Sequence, residues 1–177
     1  MNYSRGFSFI ELLVVMGIIA LLSSALVLSV RSSGNTSALN QAGSVVGSDI
    51  RRMQSMALAG SSFQGSAMCG FGVHYVDDST YLLFARSAPV SGTCASDVRP
   101  KTYEPGDVVV EQRRLSTTRI MVREAFPDVF YELPNPTTYL DGDASSNQVE
   151  IALVSRDDPT GTAVTVTVFT SGKIDVQ

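Results

Sequence analysis

Residues 7–28 read FSFIELLVVMGIIALLSSALVL, a run of 22 residues in which Glu11 is the one charged side chain. At about 1.5 Å per residue, a helix of that length reaches roughly 33 Å, close to the ~30 Å hydrocarbon core of a bilayer. Leu, Ile, Val and Met dominate the run, and no proline interrupts it. Arg5 precedes it and Arg31 follows it. The positive-inside tendency keeps the N-terminus cytoplasmic and exports the rest, with Arg31 weakening the bias. A secretory signal peptide fits less well. Its apolar core is usually only about 7–15 residues, and an A-x-A-like cleavage site should follow; "SSALVLSV" is a poor match. A plain signal anchor explains length and orientation but leaves Glu11 without a reason.

A charged carboxylate costs roughly 2.5 kcal/mol or more at the bilayer centre, and less near the edge where Glu11 falls. A cation beside it lowers the cost further. Arg5 is six residues away, too far for a helical i,i+4 pair. A new α-amino group at Phe7 would lie four residues from Glu11, and cleavage between Gly6 and Phe7 would create it.

The stretch RGFSFIELLVV resembles the class III signal of type IV pilins and type II secretion pseudopilins, with Arg5, Gly6, Phe7 and Glu11 at the matching positions. The resemblance implies a short basic leader cut after Gly6 by a membrane-embedded prepilin peptidase. It also implies N-methylation of Phe7, and a Glu11 that pairs with a Phe7 amine, its own or a neighbour's, during filament assembly. Gly6 makes local sense as well, because a side chain there would crowd a protease that needs close backbone approach.

Composition agrees with an anchored, exported subunit. The chain has 177 residues, enough for one globular domain after the apolar helix. Charged residues make up only 17%, and the net charge of −4 gives no general pull toward nucleic acid. Both cysteines, Cys69 and Cys94, fall in the exported part. In an oxidising compartment they can join and close a loop, a gain of roughly 3–4 kcal/mol. The alternative is two reduced thiols, one of them buried. The bond is preferred because both lie in Gly/Ser-rich stretches able to bend together.

Beyond the apolar run the helix continues or resumes. SSGNTS at Ser32–Ser37 is a weak point, since Gly34 and Asn35 are poor helix formers. From Ala38 to Ala59 an apolar stripe returns at Leu39, Ala42, Val46, Ile50, Met53 and Ala57, in steps of 3 or 4 that keep one helix face. Gln41, Ser48, Arg51, Arg52 and Ser55 fall on other faces, and Gly60 supplies a stop. The pattern then turns to strands. Phe71–Val76 and Thr80–Arg86 flank DDS, a natural hairpin turn. Further strands are expected at Asp107–Leu115, Arg119–Ala125, Val129–Leu133, Gln148–Leu153, Ala163–Phe169 and Lys173–Val176. VTVTVF alternates as a strand with one buried face should. Ser87–Gly106, with three prolines and Cys94, reads as a long loop.

The order of elements, SDIRRMQSMALA at Ser48–Ala59 and the closing SGKIDV resemble the GspH/FimT-like minor pseudopilins. Rival chemistry finds little support. No G-x-S-x-G, H-E-x-x-H or P-loop occurs, no motif asks for a cofactor, and the lone His74 reads as a surface or rim residue rather than a catalyst. Arg113, Arg114, Arg119 and Arg123 are placed to grip phosphates if the head binds DNA. A solvated face or pairing with acidic side chains explains them as well, and contacts with partner subunits are preferred. DGDASSNQVE, with Asp141, Asp143, Ser145 and Asn147 at alternate positions, resembles the first half of a calcium loop, but lacks its glycine and final glutamate spacing. No metal site is expected.

The expectation is therefore an α+β protein: a long N-terminal helix, membrane-spanning then amphipathic, packed on a mainly antiparallel head. Residues 1–6 are the leader, 7–30 the transmembrane and assembly helix, 31–59 the linker and amphipathic half, and 60–177 the β-rich head. The implied partners are prepilin peptidase, other pilin or pseudopilin subunits, an inner-membrane assembly platform and lipid. The place is the inner membrane, single-pass, and then a filament.

Overall fold

A computed structural model describes residues 9–60, 62–89, 93–115, 119–133 and 137–177, except for the side chains of 24–34. The chain divides into two compact units, Met1–Ser37 and Ala38–Gln177. Helix α1 is assigned over Phe9–Leu58, and its backbone is helical across Ser32–Ser37. In the second unit the helix stops where Gly60 takes a positive φ of 60° and its N–H bonds back to the Ala57 carbonyl at 3.0 Å. A glycine adopts that left-handed conformation without steric cost, which closes the helix.

Ten strands follow among the described residues: β1 (Ser62–Phe63), β2 (Ser66–Asp77), β3 (Thr80–Ser87), β4 (Val108–Arg114), β5 (Ile120–Val122), β6 (Val129–Glu132), β7 (Thr138–Leu140), β8 (Gln148–Ser155), β9 (Asp158–Phe169) and β10 (Ile174–Val176). They form two sheets. The first has the order β4-β3-β2-β6-β7, with β1 added to β2; the second has the order β10-β9-β8-β5. Every pairing is antiparallel. The fold is thus α+β, an N-terminal helix packed on antiparallel sheets.

The stripe read from the sequence is the buried face of α1: Leu39, Ala42, Val46, Ile50, Met53 and Ala57 are all buried. They join Phe71, Val73, Leu83, Val129 and Tyr131 of the first sheet and Ile151, Leu153, Val164, Val166 and Val168 of the second in one core. The Val/Thr alternation of β9 is a burial alternation, with Val164, Val166 and Val168 inside and the threonines between them half-exposed.

Several expectations need correcting. β2 begins at Ser66 rather than Phe71, because its early residues pair with β1 and with the end of β3. β5 is only Ile120–Val122, not Arg119–Ala125: the ladder with β8 covers those three residues, and beyond it the Arg123 N–H still bonds to the Ala152 carbonyl. β8 runs on to Ser155, and β9 starts at Asp158 after a register shift between Val154 and Ser155. β1 and β7 were not anticipated. Each is so short that alternation cannot be read, and each exists through a neighbour that pairs with it. The first sheet is also covered on its outer face by residues 94–107.

Candidate assembly segment and the head that carries it

Glu11 lies in the first turn of α1, where a carboxylate favours the helix macrodipole. Around it, each large apolar side chain from Phe9 to Leu22 is exposed, from 44% at Val15 to 77% at Phe9. A helix apolar on all sides is built for a low-dielectric surrounding, either lipid or other helices. Among the described residues, no helix is long and apolar enough to cross a membrane. Gly6, Phe7 and Ser8, together with the side chains of residues 24–28, lie outside the described residues, so the 22-residue run read from the sequence is only partly covered.

In the head, Cys69 on β2 and Cys94 are joined, with Cα atoms 5.0 Å apart, within the usual span of a disulfide. Cys94 opens a short 3₁₀ turn, Cys94–Ser96. The chain after it crosses the outer face of the first sheet. There it meets Arg86 of β3, whose side chain is 0% exposed. The guanidinium donates through Nε and Nη2 to the two Asp107 carboxylate oxygens at 2.9 and 2.7 Å. It also donates to the Thr102 carbonyl at 2.6 Å and to the Pro100 carbonyl. Its Cζ lies 5.3 Å from the Phe130 ring centroid. A buried cation is tolerable only with such a full set of acceptors.

His74 sits on the same outer face. Its Nδ1 is 2.7 Å from Asp128 Oδ1, and its ring stacks on Tyr103 at 4.5 Å. Asp128 Oδ2 accepts the Tyr103 backbone N–H at 2.6 Å. The histidine thus helps to hold the crossing segment in place.

The four arginines are divided between the two sheets. Arg113 and Arg114 end β4 in the first sheet, while Arg119 and Arg123 flank β5 in the second. Arg113 is engaged with Asp49 at 3.1 Å and with Glu111 at 2.9 Å. Arg123 donates to the Gly161 carbonyl at 3.2 Å. The Asp141–Asp143 segment is a turn: Asp141 and Gly142 have positive φ, and Asp143 accepts from the Ser145 N–H and hydroxyl. Those bonds hold the Asp143 carboxyl below its ordinary range. Among the described residues, no group of three or more His, Cys, Asp or Glu is arranged to hold a metal ion.

Two features were missed in the sequence. Asp49 is buried on α1 between Val46 and Met53, and its Oδ2 accepts the Tyr81 hydroxyl at 2.7 Å. Burial first, then that hydrogen bond, pushes the Tyr81 hydroxyl above its ordinary pKa. A charge beside an apolar stripe was the available signal, the same one that singled out Glu11. Arg86 gave no signal, because an arginine ending a strand reads as a solvated edge.

The first 27 residues match a family model described as the Prokaryotic N-terminal methylation motif. No curated protein and no solved structure matched the chain. With the apolar, Glu11-bearing start of α1, the motif supports a type IV pilin-like protein that prepilin peptidase processes, and it indicates a structural subunit rather than an enzyme.

Proposed function

We propose that the chain is a minor subunit of a type IV filament, either a pilus or a type II secretion pseudopilus, and is most like the GspH/FimT-like subunits. Prepilin peptidase cuts between Gly6 and Phe7, Phe7 is N-methylated, and the apolar run of residues 7–28 anchors the protein in the inner membrane. An assembly platform then moves it into a filament, where the run packs against neighbouring subunits and Glu11 meets a Phe7 amine. The observation that carries this reading is the exposure of every large apolar side chain from Phe9 to Leu22, directly after the cleavage-site residues. The likeness of SDIRRMQSMALA and of the closing SGKIDV supports the subfamily. The alternative, DNA capture by the head, gains no support from four arginines split between two sheets, one of them occupied by Asp49 and Glu111.

Mass spectrometry of the mature N-terminus, from cells containing prepilin peptidase, tests the assignment. N-methyl-Phe7 is expected. A chain beginning at Met1, or cut near Ser29, would sink the class III reading. Gly6→Ala should leave unprocessed precursor in the membrane.

A further inference from the structure

We propose that residues 94–107 are a two-position strap set by the oxidation state of Cys69 and Cys94. With the bond made, the strap closes over the outer face of the first sheet. With the bond reduced, it lifts and bares the aromatic face beneath. That face carries His74, Phe84, Phe130 and Tyr139, and the strap covers it with Tyr103 and Lys101. Tyr103 lies 4.5 Å from the His74 ring and 5.3 Å, edge-on, from Phe84; the Lys101 ammonium lies 5.9 Å from the centre of the Tyr139 ring.

Arg86 makes the motion all-or-none. Its hydrogen-bond acceptors are Pro100, Thr102 and Asp107, all on the strap. A half-lifted strap would leave a buried guanidinium short of acceptors, which costs far more than either end state. The element therefore has two positions, fully docked with Arg86 buried or lifted with Arg86 in water.

The disulfide biases the choice because it ties the start of the strap to β2 across a sequence separation of 25. Cys94 is half-buried and Cys69 buried, so Cys94 is the more open half of the bond to an incoming thiolate. A dithiol reductant attacks there, and Cys69 leaves as a thiolate and takes up a proton. The second thiol then resolves the mixed disulfide and frees Cys94. Two electrons pass from the dithiol, which ends as a disulfide. Because β2 and β3 stay paired in the lifted position, the bond closes only the short stretch between Ser87 and Cys94, and untying it favours lifting by about tenfold to a hundredfold.

Hydrogen exchange on the full chain in detergent micelles, with and without dithiothreitol, tests the proposal. The readout is the strap amide of Tyr103, which donates to Asp128 beneath the strap in the docked position. Reduction is expected to speed its exchange between about tenfold and a hundredfold, while β8 and β9 keep their protection. Reoxidation should restore the first rates, and the Cys69→Ser/Cys94→Ser double variant should match the reduced protein. Unchanged strap exchange would overturn the proposal, since the contacts of Arg86, Asp128 and Glu132 would then hold the strap without the bond. Equal loss of protection across all strands would overturn it too, since the bond would then hold the whole head rather than a separable strap.

Discussion

Replacing Asp49 by alanine removes the acceptor that the Tyr81 hydroxyl and the Arg113 guanidinium share. Breaking a wholly buried pair costs about 3–5 kcal/mol. The Arg113 side chain is 36% exposed, so water recovers part of that, and about 2 kcal/mol is expected. Asp49→Asn should cost less, because its carbonyl still accepts from Tyr81. Denaturant midpoints of the two variants, with a double-mutant cycle against Tyr81→Phe, check the order; equal losses would mean that the tyrosine bond carries nothing. Glu11 raises the opposite question, because it lies among exposed apolar side chains. If it pairs with a Phe7 amine, Glu11→Leu should leave cleavage intact, because the peptidase reads the Gly6–Phe7 junction. It should lower the ratio of filament-bound to membrane-bound mature protein at equal expression. An unchanged ratio would remove the carboxylate from assembly.

At the scale of elements, α1 lies close to β9 and β10 because two of its residues have no side chain. A Cβ on Gly43 would fall 2.5 Å from Val164 Cγ1, and one on Gly47 would fall 3.0 Å from Val176 Cγ2. Valine cannot swing aside, so Gly43→Ala forces the helix away from the sheet, an overpacking cost of about 1–3 kcal/mol that outweighs a helix-propensity gain of about 1 kcal/mol. At Gly47 a shift of a few tenths of an ångström suffices, and the gain in helix propensity of about 1 kcal/mol offsets it. Gly47→Ala should therefore leave the thermal midpoint near that of the parent, and Gly43→Ala should lower it; equal effects would show that the helix rides freely on the sheet. These glycines also mark the limit of what was legible. The stripe from Leu39 to Ala57 and the alternation of β9 are local periodicities, and both could be read directly. Partition into two sheets is not local. β5 pairs with β8, its residues meeting partners 31 to 35 positions onward, and nothing in IMV says so. The arginines on β4 and β5, successive in sequence, fall in different sheets for the same reason. In the candidate site, Glu11 stood out because a charge in an apolar run is costly wherever it sits. Arg86 did not, because its burial depends on a loop that comes back from residues 100–107.

For the head as a whole, alkaline pH is a selective probe. Burial raises the pKa of the Tyr131 hydroxyl, which has no hydrogen-bond partner among the described residues, and burial and Asp49 raise that of Tyr81. A folded-state value above the unfolded one means that the folded form favours the neutral phenol. The stability contribution is complete below the ordinary tyrosine value of about 10, and it is lost as pH rises from there toward the folded-state values. Both rings belong to the core shared by α1 and the two sheets, so neither can ionise while that core is closed. Acid acts elsewhere. Hydrogen bonds from Arg99 hold Asp97 below its ordinary range, so its contribution is present above about pH 4 and fades as pH falls further, loosening only the start of the strap. The chain has six tyrosines and no tryptophan, so phenolate absorbance near 295 nm can be followed without interference. Tyr81 and Tyr131 should ionise together, above the ordinary tyrosine range, in one steep step that coincides with loss of the near-ultraviolet circular dichroism. Tyr131→Phe should reduce the height of that step by about one phenol and move it to higher pH, because the folded state no longer has to withhold that proton. A smooth titration of all the tyrosines, with the dichroism intact throughout, would mean that the core opens to hydroxide without unfolding and is not the closed unit argued here.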